Sequence, residues 1–153
     1  MKRVLFVVAI AIISAGIAFA GPAATGVGVF LGQPTGLTVG LDLSPTNWLD
    51  FKAAWNFADP KGGFSIILQG NYDLAFPGAL IIEGEDIVPF VGIGAEAAIS
   101  DNLVEIGFHL PFGLDYRFRK APIELFLEAG LGLYLFPATK FSGSGGLGIR
   151  YRF

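Results

Sequence analysis

Residues 103–118 read LVEIGFHLPFGLDYRF, and alternate positions in this stretch belong to two different chemistries. Val104, Ile106, Phe108, Leu110, Phe112, Leu114, Tyr116 and Phe118 form one set. Leu103, Glu105, Gly107, His109, Pro111, Gly113, Asp115 and Arg117 form the other. Successive side chains of an extended strand point to opposite faces, whereas a helix would scatter both sets around its circumference. The stretch therefore predicts a long strand, apolar on one face and carrying glycine and every charge on the other.

The same period runs from residue 25 onward, broken by the turn-forming clusters QPTG, SPTN, DPKGG, FPGALIIEGED, SDN, RKAP and PATK. Eight strands are predicted, at 25–33, 36–44, 48–58, 64–74, 87–100, 103–118, 123–136 and 141–153. Parity continues unbroken through QPTG, so 25–44 can also be read as one long strand, which would make the total seven. No segment with helical period is left over.

Within these strands the ionisable residues are Asp42, Asp50, Lys52, Asp73, Glu96, Glu105, His109, Asp115, Arg117, Glu124, Glu128, Arg150 and Arg152. Each lies opposite the large apolar residues of its own strand. A soluble sandwich also alternates, so the character of the two faces has to decide. A water-facing sheet surface favours Lys, Glu, Thr and Ser, but here the polar face is rich in Gly, with Phe90, Phe126 and Tyr134 among them. Small residues suit a concave, crowded surface. The polar face is thus expected to line a narrow closed barrel, with the apolar face outside against lipid. Trp48, Trp55, Phe57, Phe64, Phe76, Phe118, Phe136, Phe141, Tyr151 and Phe153 sit toward strand ends, where interfacial aromatic girdles belong.

Bulk composition agrees. The 153 residues are 53% hydrophobic and only 15% charged, which points to membrane classes. Yet past residue 20 nothing approaches the ~18 consecutive apolar residues of a spanning helix. Residues 1–20, MKRVLFVVAIAIISAGIAFA, have a basic start, an apolar run and the small-x-small site Ala18-Phe19-Ala20. They are expected to be a secretory signal peptide rather than a retained helical anchor, with 21–153 as one barrel domain. Its removal leaves 8 basic against 13 acidic residues, a formal charge of −5, which argues against a nucleic-acid partner. With no cysteine, neither a lipoprotein acylation site nor a disulfide is available.

The stretch LGIRYRF, with Leu147, Ile149, Tyr151 and Phe153 outward and Arg150 and Arg152 inward, resembles the terminal strand of bacterial outer-membrane barrels. That strand characteristically ends in Phe and is read by the barrel-insertion machinery. Together with GVGVFLGQPTGLTVGLDLS, VPFVGIG, HLPFGLDYRF and PIELFLEAGLGL, it resembles a family of small eight-stranded outer-membrane β-barrels, related more widely to the outer-membrane protein A-type and X-type barrels. The resemblance implies an all-β, eight-stranded antiparallel up-and-down transmembrane barrel in the outer membrane of a diderm bacterium. It implies membrane lipid and the insertion machinery as partners and a monomeric state. It implies hardly anything about activity, and the chain departs from the wider relatives in its very short connectors.

Three constellations could carry chemistry. The lumenal charges Asp42, Asp50, Lys52, Glu96, Glu105, His109, Asp115, Arg117, Glu124, Glu128, Arg150 and Arg152 are expected to form a salt-bridge network plugging the barrel, against a gated ion path as the alternative. Pairing around RKAP would bring Arg117 near Glu124; pairing around PATK would set Arg150 opposite Glu128 and Arg152 opposite Glu124. His109 with Asp115, Glu105 and Ser100 supplies the ingredients of a lipid hydrolase, but a lumenal structural role is favoured. The Gly-x-Gly pairs Gly26/Gly28, Gly92/Gly94, Gly130/Gly132 and Gly146/Gly148 open no helix and so cradle no dinucleotide. They leave room for bulky neighbours, or for a small apolar ligand. The leading expectation is a non-enzymatic barrel with a filled lumen, structural or interaction-mediating, and no cofactor. Alternatives are a minimal channel or carrier for small solutes or apolar ligands and, behind it, a lipid-modifying enzyme.

Overall fold

The structure, a computed structural model, describes residues 25–56, 65–100 and 103–153. The expected signal peptide, together with Phe57 and Phe64, lies outside the described residues. The strands are β1 (Thr25–Gln33), β2 (Thr35–Ser44), β3 (Asn47–Asn56), β4 (Ser65–Ala75), β5 (Ile81–Ile82), β6 (Glu85–Asp86), β7 (Val88–Ile99), β8 (Val104–Arg117), β9 (Ile123–Phe136) and β10 (Lys140–Arg152). Eight of them close into an antiparallel barrel in the order β1-β10-β9-β8-β7-β4-β3-β2, while β5 and β6 form a separate small hairpin.

QPTG is a turn, not the middle of a long strand: β1 folds back onto β2 with Phe30 opposite Gly36 and Thr25 opposite Leu41. Thr35 Oγ1 donates to the Gly32 carbonyl at 2.7 Å and accepts from the Gly32 N–H at 3.2 Å, holding the reversal. Closure comes from β1 pairing with β10, Gly26 opposite Arg152 through Gln33 opposite Gly145. The Phe153 N–H donates to the Thr25 carbonyl at 2.9 Å, so the two described ends lie at the same barrel end. Closing the sheet leaves no open edge strand, which is what a sheet surrounded by hydrocarbon requires.

That end also carries the long connector 76–87, most of which is the turn-forming cluster FPGALIIEGED of the sequence, and it contains two short strands that the sequence did not reveal. Its β5–β6 hairpin turns at Glu83 and Gly84, with φ of 52° and 83°. Positive φ at both central residues is the two-residue turn whose twist matches paired strands. Elsewhere the ladder between β7 and β8 is interrupted opposite Pro111, whose nitrogen has no hydrogen to donate.

Side-chain parity is uniform around the barrel. Val27, Leu37, Phe51, Leu74, Ile93, Phe108, Leu131 and Ile149 are exposed on the outside, while Thr38, Asp50, Lys52, Asp73, His109, Glu124 and Arg150 are buried within. One expectation fails: Trp48 belongs to no girdle but is buried inside at 5% exposure, edge-on to Phe90 with centroids 5.4 Å apart. It shares parity with Asp50 and Lys52, and parity overrides its position near a strand end.

Candidate functional site: the filled lumen

A narrow barrel lined by both aromatic and ionic side chains must fit them past one another, and the glycines make that possible. The Phe126 ring lies where a Cβ of Gly148 would be, Phe90 against Gly113, Asp73 over Gly92, and His109 over Gly130. Each of these four glycines makes room for a side chain of a neighbouring strand, while Gly28, Gly32, Gly36 and Gly107 lie against the backbone of the strand beside them.

At mid-lumen, Phe30 and Phe126 stack with centroids 5.9 Å apart. Lys52 Nζ lies 5.4 Å from the Phe30 centroid and the Arg150 guanidinium 4.1 Å from that of Phe126. Lys52 Nζ donates to Asp50 at 2.8 Å and to both Glu128 oxygens at 2.8 and 2.9 Å. Arg150 pairs with Asp50 at 2.8 Å and Glu124 at 2.7 Å, and also donates to Thr38 Oγ1. These side chains are almost wholly excluded from solvent.

Toward the end holding the chain's described ends, Arg152 joins Glu124 to Asp42. Arg117 grips Asp42 with two bonds of 2.9 and 3.0 Å, and its Nε lies 3.1 Å from Asp115 and 3.9 Å from Glu124. Toward the opposite end, Glu96 accepts from Gln69 Nε2 and from Ser142 Oγ, and Glu105 faces Lys140 at 3.4 Å.

All twelve residues of the expected charge network are inside the barrel: nine are linked through Glu124 into one ion-paired network, while Glu96, Glu105 and His109 bond elsewhere, and the sequence did not single out the partners Thr38, Gln69, Ser142 and Lys140. Their signal was available in parity, since each shares a face with the charges of its strand. Arg117 does lie opposite Glu124. The β9–β10 register differs from expectation, with Arg150 opposite Glu124 and Gly146 opposite Glu128. The ladder stops at Tyr134 opposite Lys140, so Leu135 and Phe136 extend past it and the whole pairing slides. Glu128 is thereby released to reach across to Lys52.

His109 does not approach Ser100. Its Nδ1 lies 3.1 Å from Asn71 Oδ1 and its Nε2 3.0 Å from Ser144 Oγ, making a serine–histidine–asparagine line. A Cβ on Gly130 would collide with both the imidazole and the Ser144 hydroxyl. The imidazole and the hydroxyl are thus packed directly against the Gly130 backbone. Among the described residues, no group of three or more His, Cys, Asp or Glu is arranged to hold a metal ion. Among the described residues, the buried side-chain polar atoms without a hydrogen-bond partner are Asn71 Nδ2, both Asp73 oxygens and Asp115 Oδ2.

No family model matches the chain, and no curated protein matches it. Among solved structures it is similar to the N-terminal β-barrel domain of Pseudomonas aeruginosa OprF, at 14% identity and a TM-score of 0.62, covering 86% of this chain and 96% of that one. It is also similar to Neisserial surface protein A, at 14% identity and a TM-score of 0.55, covering 86% and 94%. At this identity what is shared is the eight-stranded barrel fold.

Proposed function

We propose that the protein is an integral outer-membrane β-barrel of a diderm bacterium, exported by residues 1–20, with a lumen sealed by its own side chains. Its role is structural or interaction-mediating rather than enzymatic. The observation that carries this reading is the inversion of the usual burial pattern. Among the described residues, thirteen polar or charged side chains are buried against nine hydrophobic ones, while thirty large hydrophobics are exposed. Apolar area facing water is unfavourable by ~25 cal/mol per Å², so a continuous band of it calls for hydrocarbon. The eight barrel strands, of 9 to 14 residues, suit a tilted span, for which ~9–11 suffice. Trp55, Phe118, Phe136, Phe141, Tyr151 and Phe153 then supply the girdles, and Leu147, Ile149, Tyr151 and Phe153 the outward face read by the insertion machinery. A monomer is expected, because closure satisfies the sheet within one chain.

The test has two stages. Membrane fractionation should recover the protein in the outer membrane, released only by detergent and β-rich by circular dichroism; a mature chain that stays dissolved without surfactant would refute the membrane assignment. In planar bilayers the refolded barrel should give no discrete conductance steps. Steps abolished by Glu128→Gln or Arg150→Gln would replace the sealed barrel with the channel reading.

A further inference from the structure

The β5–β6 hairpin lies outside the barrel wall, yet its surface is apolar. Ile81 is 64% exposed and Ile82 50%, on a ribbon whose second strand is Glu85 and Asp86. A two-stranded ribbon encloses no core in which such side chains could be buried, so packing within the chain does not account for them.

Three ties fix where the ribbon sits. Asp86 accepts from the Gly78 N–H with both oxygens at 3.0 Å, closing the connector on itself at the mouth of the barrel. Tyr116 Oη donates to Glu85 at 3.1 Å, and Arg119 donates to the Gly84 carbonyl at 2.9 Å. Tyr116 alternates along β8 with Asp115 and Arg117, which face inward, and it packs edge-on against Phe118 with centroids 4.7 Å apart. It therefore belongs to the outward face, and its hydroxyl meets Glu85 because the hairpin has come round the rim toward the lipid side. The connector also leaves the barrel on that side, since Phe76, 50% exposed, continues the outward set of Tyr72 and Leu74.

We propose that the hairpin docks on the lipid leaflet at this rim, with Ile81 and Ile82 inserted at the boundary of headgroups and acyl chains beside Tyr116 and Phe118. The occupant is the bilayer rather than a second polypeptide, because Phe76 and Tyr116 join the hairpin to the band that already faces lipid. Arg119 and Lys120, both exposed, follow Phe118 directly and stand where lipid phosphates lie; apolar, aromatic and cationic side chains at one rim are the composition of a membrane interface. The docking rests on the reading of the chain as a membrane-embedded barrel and adds to it a device that pins the barrel's depth between β4 and β8.

The chain has no cysteine, so Ile82→Cys in the mature barrel carries a single nitroxide label. In vesicles of phosphatidylcholine and phosphatidylglycerol, electron paramagnetic resonance compares its collisions with molecular oxygen, which concentrates in hydrocarbon, and with a water-soluble nickel chelate. Oxygen should dominate at Ile82, as it should for the same label in Leu131→Cys, which reports on the barrel wall. Should Ile82→Cys fail to fold, Ile81→Cys decides in its place. A label at the hairpin dominated by nickel, or shielded from both reagents, beside an oxygen-dominated Leu131 would overturn the docking and leave the barrel standing. A nickel-dominated Leu131 would refute the barrel in its bilayer, and the docking with it.

Discussion

Lys52 and Glu128 stand on diametrically opposite strands, β3 and β9, and meet across the lumen through two bonds of 2.8 and 2.9 Å. Seventy-six residues separate them in the chain, yet their contact is a strut across the barrel. Arg117 and Asp42, on β8 and β2, form a second such strut nearer the mouth.

Removing one end of the first strut strands the other. Lys52→Met leaves Glu128 buried without its cation, which should cost about 3–5 kcal/mol. The double variant Lys52→Met/Glu128→Leu should recover much of that loss, because a buried ion pair replaced by apolar groups of similar volume is often neutral. Urea unfolding in lipid vesicles measures both. A single variant as stable as the parent would show that the strut carries no weight.

The outward face should respond to charge according to depth. Leu131 is exposed and lies near the middle of β9, paired with Leu110 and Gly143. Leu131→Arg is expected to cost ~2–4 kcal/mol, but Tyr151→Arg, near a strand end, only ~0–1 kcal/mol. Equal costs at the two positions would contradict a hydrocarbon surround.

Lumenal glycines should not tolerate a methyl group where a ring already occupies the space. Gly148→Ala drives a Cβ into Phe126 and is expected to destabilise by about 1–3 kcal/mol. Phe126→Leu in the same chain should relieve part of this. Gly143, with nothing within 4 Å of its would-be Cβ, serves as the control, and Gly143→Ala should be close to neutral by the same unfolding assay.

His109 bridges Asn71 and Ser144, so His109→Ala should lower stability by about 1–3 kcal/mol through the partners it leaves unsatisfied. Neither it nor Ser144→Ala should change the phospholipid-to-lysophospholipid ratio of the host membrane, read by mass spectrometry. A drop in lysophospholipid in both variants would restore the hydrolase reading.

Much of this architecture is legible in residue order because strand parity is local. A period of two needs only neighbouring residues to reveal it, so 103–118 already separates an apolar face from one holding Glu105, His109, Asp115 and Arg117. Turn residues such as Pro34 and Glu83-Gly84 act over equally short distances. Trp48 shows the limit of reading by position: its place near a strand end suggested a girdle, while its parity with Asp50 and Lys52 put it inside.

Residue order by itself thus determined the barrel strands, apart from whether 25–44 holds one or two, and the side of the sheet on which each charge lies; the β5–β6 hairpin was not legible in it. Which charges meet was decided only by tertiary structure. Closure tilts and staggers eight strands at once, and a small slide between β9 and β10 places Glu124 opposite Arg150 and frees Glu128 for Lys52.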